Sequence, residues 1–225
     1  MDSKNKKVIS ILVVCLAAIS MLTGCGKDFD ASGYVSSVLD VTFQDETEQA
    51  LSMIDGVTAN DLHQQHEDSI RTFVENNITN EISMNELKEA RFFDLCEKIF
   101  ATMRYDAKDA EKTGKKQYEV PVEISPSDVF IRFQEALVTD SEEIAADVQA
   151  GKYTGTEEEI AQQVLNDIVN RAYELLDVAY LDMEFGREQT VILTVEANEE
   201  NEYSINQDDM DNLIVKILRL DEIQD

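Results

Sequence analysis

The chain has 225 residues, with 19 Lys+Arg against 47 Asp+Glu and a formal charge of -28. A polyanion of that strength repels phosphate backbones, which excludes nucleic acid as a partner. Hydrophobic residues make up 43% and charged residues 29%, close to ordinary globular usage, so the acidity is not that of a disordered tail and the chain is long enough for a real core.

Met1 to Lys7 carries Lys4, Lys6 and Lys7, and the uncharged apolar run from Val8 ends in Leu22-Thr23-Gly24-Cys25. A positive n-region, an apolar run shorter than the ~20 residues of a membrane-spanning helix and a small-residue cleavage site read as a signal peptide over residues 1–24. Leu-Thr-Gly-Cys resembles the lipobox of bacterial lipoproteins. The resemblance implies cleavage between Gly24 and Cys25, a covalent diacylglyceryl group on the Cys25 thiol with further acyl chains of the palmitate kind, and a protein held on the extracytoplasmic face of the cell membrane. Two acyl chains anchor far more firmly than one.

Cys15 leaves with the signal and Cys25 is taken by lipid, so Cys96 is the one thiol left and no intramolecular disulfide is expected. It lies in Phe92-Phe93-Asp94-Leu95-Cys96-Glu97-Lys98-Ile99-Phe100, among large apolar residues at helical spacing, and reads as a small buried hydrophobe. The mature chain has 16 basic and 46 acidic residues, -30 over 201 positions. Residues 25–33 are expected to be anchor and tether, the eight from Gly26 to Gly33 reaching about 28 Å when extended.

A short amphipathic helix is predicted on Tyr34, Val35, Val38, Leu39, Val41 and Phe43, and another from about Thr47 to Met53. Thr58 to Asp61 fits a capping-box start for a longer helix with the stripe Leu62, His66, Ile70, Phe73, Val74 and Ile78. A further helix from about Asn85 places Leu87, Arg91, Leu95, Ile99 and Met103 in register, widened by Phe92, Cys96 and Phe100. Then comes a hairpin: Met103, Tyr105 and Ala107 on one arm, a turn around Gly114-Lys115-Lys116, and Tyr118, Val120, Val122 and Ile124 alternating with polar residues on the other. Ser125-Pro126-Ser127-Asp128 starts a helix carrying Val129, Phe130, Phe133, Leu137, Ile144 and Val148.

The order then repeats. Thr156 to Glu159 is a capping box for a helix with Ile160, Val164, Leu165, Ile168, Ala172, Leu175 and Leu176. Strands are predicted on Ala179, Leu181, Met183 and Phe185, then on Val191, Leu193 and Val195, before Asn206 caps a helix with Met210, Leu213, Ile214, Ile217 and Leu218. Setting Arg91 on Arg171 aligns Leu95 with Leu175 and Met103 with Met183, so a helix-hairpin-helix unit used twice is expected. The fold class is α+β, antiparallel hairpins packed with helices, as one domain over 34–225 with sub-units 34–84, 85–150 and 156–220.

The lipobox, followed by Phe29-Asp30-Ala31-Ser32-Gly33-Tyr34-Val35-Ser36-Ser37-Val38-Leu39-Asp40, resembles a family of uncharacterised lipoproteins from Firmicutes, a domain of unknown function. The resemblance implies a Gram-positive surface lipoprotein and supplies no catalytic residues. Helices before a curved antiparallel sheet also resemble cystatin-like and nuclear-transport-factor-like cones, a likeness that implies a pocket between sheet and helix.

The sequence carries little overt chemistry. His63 and His66 lie three apart beside Glu67 and Asp68 and are the metal candidates, but His66 falls on the apolar stripe and a hydrogen-bonded core histidine is the preferred reading. Acids in Asn198-Glu199-Glu200-Asn201-Glu202 and Asp208-Asp209-Met210-Asp211 offer oxygen ligands for a divalent cation such as Ca²⁺, yet lack calcium-loop spacing and fit a solvated face or a helix N-terminus better. No phosphate loop, nucleophile elbow or Cys-x-x-Cys is present. The expectation is no catalytic residue, no cofactor and a non-enzymatic binding or interaction module. A small-ligand-binding lipoprotein for transport or sensing is the alternative, and a wall or glycan hydrolase the third reading.

Overall fold

The computed structural model describes residues 29–54, 56–79 and 84–223. The signal peptide, Gly24 and Cys25 lie outside the described residues. In chain order the elements are α1 (Ala31–Gln44), α2 (Glu48–Met53), α3 (Ala59–Val74), a π-helical turn (Glu75–Thr79), α4 (Glu86–Phe100), β1 (Arg104–Ala107), β2 (Glu111–Gly114), β3 (Gln117–Ser125), α5 (Val129–Gln149), α6 (Glu157–Leu181), β4 (Gln189–Ala197), β5 (Tyr203–Ile205), α7 (Gln207–Ile217) and a 3₁₀ turn (Leu220–Glu222). The class is α+β, as the patterning predicts. Among the described residues no helix is long and apolar enough to cross a membrane.

The chain forms two compact units. One comprises the described residues up to Ile124 with Glu188–Ile214, the other Ser125–Arg187 with the described residues from Val215 on. The first holds the sheet, ordered β1-β3-β4-β5 with β2 also paired to β3. β3 and β4 run antiparallel in the register Tyr118↔Val195, Val120↔Leu193 and Val122↔Val191, and all six residues are buried. Period-two alternation puts them on one face and Glu119, Thr194 and Glu196 on the other.

Against this sheet-bearing core stands α1, apolar on almost every side: Tyr34, Val35, Val38, Leu39, Val41 and Phe43 are buried, with Ser37 and Thr42 among them. The two hydroxyls cost little there because they donate back to the carbonyls of Tyr34 (2.8 Å) and Val38 (2.7 Å). Phe43 tilts against Phe100 and Tyr105, at 5.9 and 5.4 Å between ring centres. Fully burying such a side chain contributes about 1.5–3 kcal/mol. Val41, Ala50, Ile54 and Leu62 make a smaller apolar cluster beneath α2.

Four expectations change. The segment read as tether through Gly33 is helical from Ala31: Asp30 caps α1 by accepting from the Gly33 amide at 2.9 Å, and a side chain at Gly33 would come within 2.5 Å of the Asp30 carboxylate. Of the strand predicted on Ala179, Leu181, Met183 and Phe185, Ala179 and Leu181 instead end α6, since the buried stripe Val169, Leu176, Ala179 continues at helical spacing; Met183 and Phe185 lie beyond the helix, and Phe185 retains a single antiparallel bridge to Ser127. β4 then pairs with β5, a strand of three residues and too short for its period to be read. Leu87 and Arg91 do not share the buried face of α4, which is Phe92, Leu95, Cys96, Ile99 and Phe100. Finally, the wider π turn rotates the chain beyond Val74, so Thr79 is buried where Ile78 was expected.

Both predicted capping boxes form. The Thr58 hydroxyl accepts from the Asp61 amide and Asp61 bonds back to the Thr58 amide; Thr156 and Glu159 do the same at the start of α6.

Candidate functional site

The histidines sit on α3 but do not converge. His66 is buried, and its Nδ1 lies 3.0 Å from the Val41 carbonyl and 3.2 Å from that of Thr42. Two carbonyl acceptors make Nδ1 the protonated nitrogen, leaving Nε2 as a buried acceptor without a hydrogen-bond partner. His63 turns its Nδ1 to the Asp45 carboxylate at 2.6 Å, and both side chains are partly solvated. Asp45 is the left-handed cap that ends α1, at φ 55°. The pair therefore ties α3 to the residue that caps the C-terminus of α1. Among the described residues no group of three or more His, Cys, Asp or Glu is placed to hold a metal ion.

Cys96 is a free, fully buried thiol in α4, and burial pushes its pKa above the ordinary thiol range. The acidic run after β4 is a turn organised by Asn198, whose Oδ1 accepts from the amides of Glu200 (2.9 Å) and Glu202 (3.0 Å). Asp209, in the first turn of α7, accepts from the Thr194 amide at 2.9 Å. Both runs are thus engaged in local structure.

The second unit holds an open groove of about 600 Å³ between α5 and α6, lined by Ala136, Thr139, Asp140, Glu143, Asp167, Arg171, Glu174 and Leu175. Its centre is Arg171, which binds Asp140 through Nε and Nη2 and Glu143 through Nη2 at 2.8 Å. Hydrogen bonds to these carboxylates raise the Arg171 pKa further. One turn earlier on α6 Asp167 accepts from the Tyr153 hydroxyl at 2.6 Å, which raises the Tyr153 pKa. Four carboxylates, Asp140, Glu143, Asp167 and Glu174, against one guanidinium give the groove a net anionic lining. No sequence motif marks this groove. The signal present was Asp140 itself, which falls seven residues after Phe133 and four before Ile144 on the apolar stripe of α5 and is buried there.

No protein-family model matches the chain, and no curated protein matches it. Among solved structures it is similar to a Bacillus subtilis protein assigned as a lipoprotein (ycdA), at 12% identity and a TM-score of 0.49, over 84% of this chain and 56% of that one. The chain therefore spans little more than half the length of that protein.

Proposed function

We propose that the protein is a membrane-anchored extracytoplasmic lipoprotein whose folded part is a non-enzymatic binding or interaction module. The observation that carries this reading is Leu22-Thr23-Gly24-Cys25 at the end of an uncharged apolar run preceded by three lysines. The first described helix begins at Ala31, six residues after Cys25, so an acylated Cys25 would be close in sequence to α1. The groove supports a binding role over glycan hydrolysis: Asp140 and Glu143 are already held by Arg171, and Asp167 by Tyr153, whereas hydrolysis of a glycosidic bond needs two carboxyls directed at the substrate.

Metabolic labelling with a fatty acid tests the anchor. The wild type is expected to incorporate label and fractionate with membranes, and Cys25→Ala to lose the label and appear in the medium or as uncleaved precursor. An unlabelled wild type would overturn the reading.

A further inference from the structure

The first six described residues are fixed to the sheet-bearing unit, with Phe29 and Tyr34 held at the end of the sheet where β5 begins. The Phe29 ring stacks on Tyr203 at 3.7 Å and 2° and tilts against Tyr118 at 5.8 Å. Ser32 Oγ donates to the Lys108 carbonyl at 3.0 Å and accepts from the Ala110 amide at 2.8 Å. Tyr34 donates its hydroxyl to the Tyr203 carbonyl at 3.3 Å, and Gln49 donates to the Gly33 carbonyl at 3.1 Å. Burial pushes the Tyr34 pKa up to about 12. These contacts leave three residues, Gly26, Lys27 and Asp28, between Cys25 and the clamp. From Cys25 to Phe29 the chain spans at most about 14 Å.

The end of the sheet so marked carries two turns. Lys115 and Lys116 close β2 onto β3, and Asn198 to Glu202 join β4 to β5; Lys116 reaches across to the Asn198 carbonyl at 3.1 Å. Lys112 lies over the Tyr118 ring at 5.4 Å. Lys112 and Lys115 are exposed, as are Glu199 and Glu200, so this end is mixed in sign. The outer sheet face instead exposes Glu111, Glu119 and Glu196 and is repelled by anionic headgroups.

From these observations we infer that the sheet-bearing unit stands end-on, with the Lys115-Lys116 turn and the Phe29–Tyr203 stack against an anionic phospholipid surface and the Ile124–Gln189 end directed away. The inference rests on the lipid-anchor reading. Along β4 the two ends are separated by about 26 Å, which a short-range quencher resolves.

The test uses the full lipidated protein in vesicles of equimolar phosphatidylcholine and phosphatidylglycerol containing a headgroup spin-labelled lipid. A fluorophore is attached to Thr113→Cys in one variant and to Glu188→Cys in another, both positions being exposed; Cys96 is buried and stays unlabelled. The label at 113 is expected to be quenched several-fold more strongly than that at 188. Phe29→Ser should shrink this contrast while circular dichroism stays native. Equal quenching, or stronger quenching at 188, on protein whose Cys25 carries diacylglyceryl by mass spectrometry overturns the orientation alone. Absence of that group overturns the anchor and the orientation together, and an undiminished contrast in Phe29→Ser overturns the clamp.

Discussion

The sheet-bearing unit and the α5–α6 unit are both made from amphipathic helices, yet different forces hold them. In the first, α1 and the inner face of the sheet are shielded from water almost completely, and aromatic rings meet one another at Phe43, Phe73 and Phe100. In the second, burial thins along the helices: beyond Phe133, α5 buries only Asp140 and Ile144, and α6 buries nothing before Val169. What replaces apolar area there is polar. Arg171 joins Asp140 and Glu143, Tyr153 joins Asp167, and Lys152 joins Asp147 at 2.6 Å. Area burial is non-directional and tolerates small shifts, whereas a partly buried ion pair holds a particular geometry and is costly to break from one side.

The contrast can be broken most severely in the core. Phe43→Ala should cost about 3–5 kcal/mol, lowering the urea midpoint and the amide protection of the whole sheet-bearing unit. Arg171→Met should cost about 2 kcal/mol, less than a wholly buried pair because Arg171 is 24% exposed. Protection should fall along α5 and α6 and hold in β3 and β4, and Asp140→Leu added to Arg171→Met should restore much of it. A uniform loss of protection in Arg171→Met would show that the ion pair is not local.

The two capping boxes sharpen the comparison, since the same device serves each unit. Thr58→Ala and Thr156→Ala should each cost about 1 kcal/mol, the first read in α3 and the second in α6 by hydrogen exchange. The smallest effect is their pH dependence. Bonds from the Thr58 hydroxyl and amide hold the Asp61 pKa below the ordinary carboxylate range, and those from the Thr156 amide and hydroxyl do so for Glu159. A depressed folded-state pKa contributes stability above the unfolded value, near pH 4, which is lost as pH falls through the folded value. The gap in urea midpoint between wild type and either Ala variant should therefore narrow from pH 7 toward about pH 3.

The strongest local signals were legible in the sequence: the alternation from Tyr118 to Ile124, the Thr-x-x-acid boxes at 58 and 156, and the buried Cys96. Each is written in a spacing of a few residues. Misreadings arose where a longer-range partner decided. Residues 179–185 suit a strand by alternation, but the Val169, Leu176, Ala179 stripe carries the helix on to Leu181, and only Phe185 beyond it keeps a bridge. β2 has no apolar residue and β5 has only three residues, too short for a period to show, and both exist because β3 and β4 supply their partners. The groove was illegible because Asp140 and Arg171, 31 residues apart, form a pair only after α5 and α6 align. The expected doubling of helix, hairpin and helix survives in part: Arg91 and Arg171 both lie on helices, and both halves contribute strands to one sheet, but only the first half retains its predicted leading arm.

The β3–β4 ladder bears on how the chain reaches its native state. Its strands are consecutive in the sheet but distant along the chain, Gln117 and Glu196 being 79 residues apart. Loop closure over that span must precede the reward of pairing, so the ladder is expected to be a late, rate-limiting event. Until it forms, the β4-facing edge of β3, with Val120 and Val122 beside it, is an unpaired apolar template. Refolding yield should accordingly fall with protein concentration more steeply than equilibrium stability alone would require.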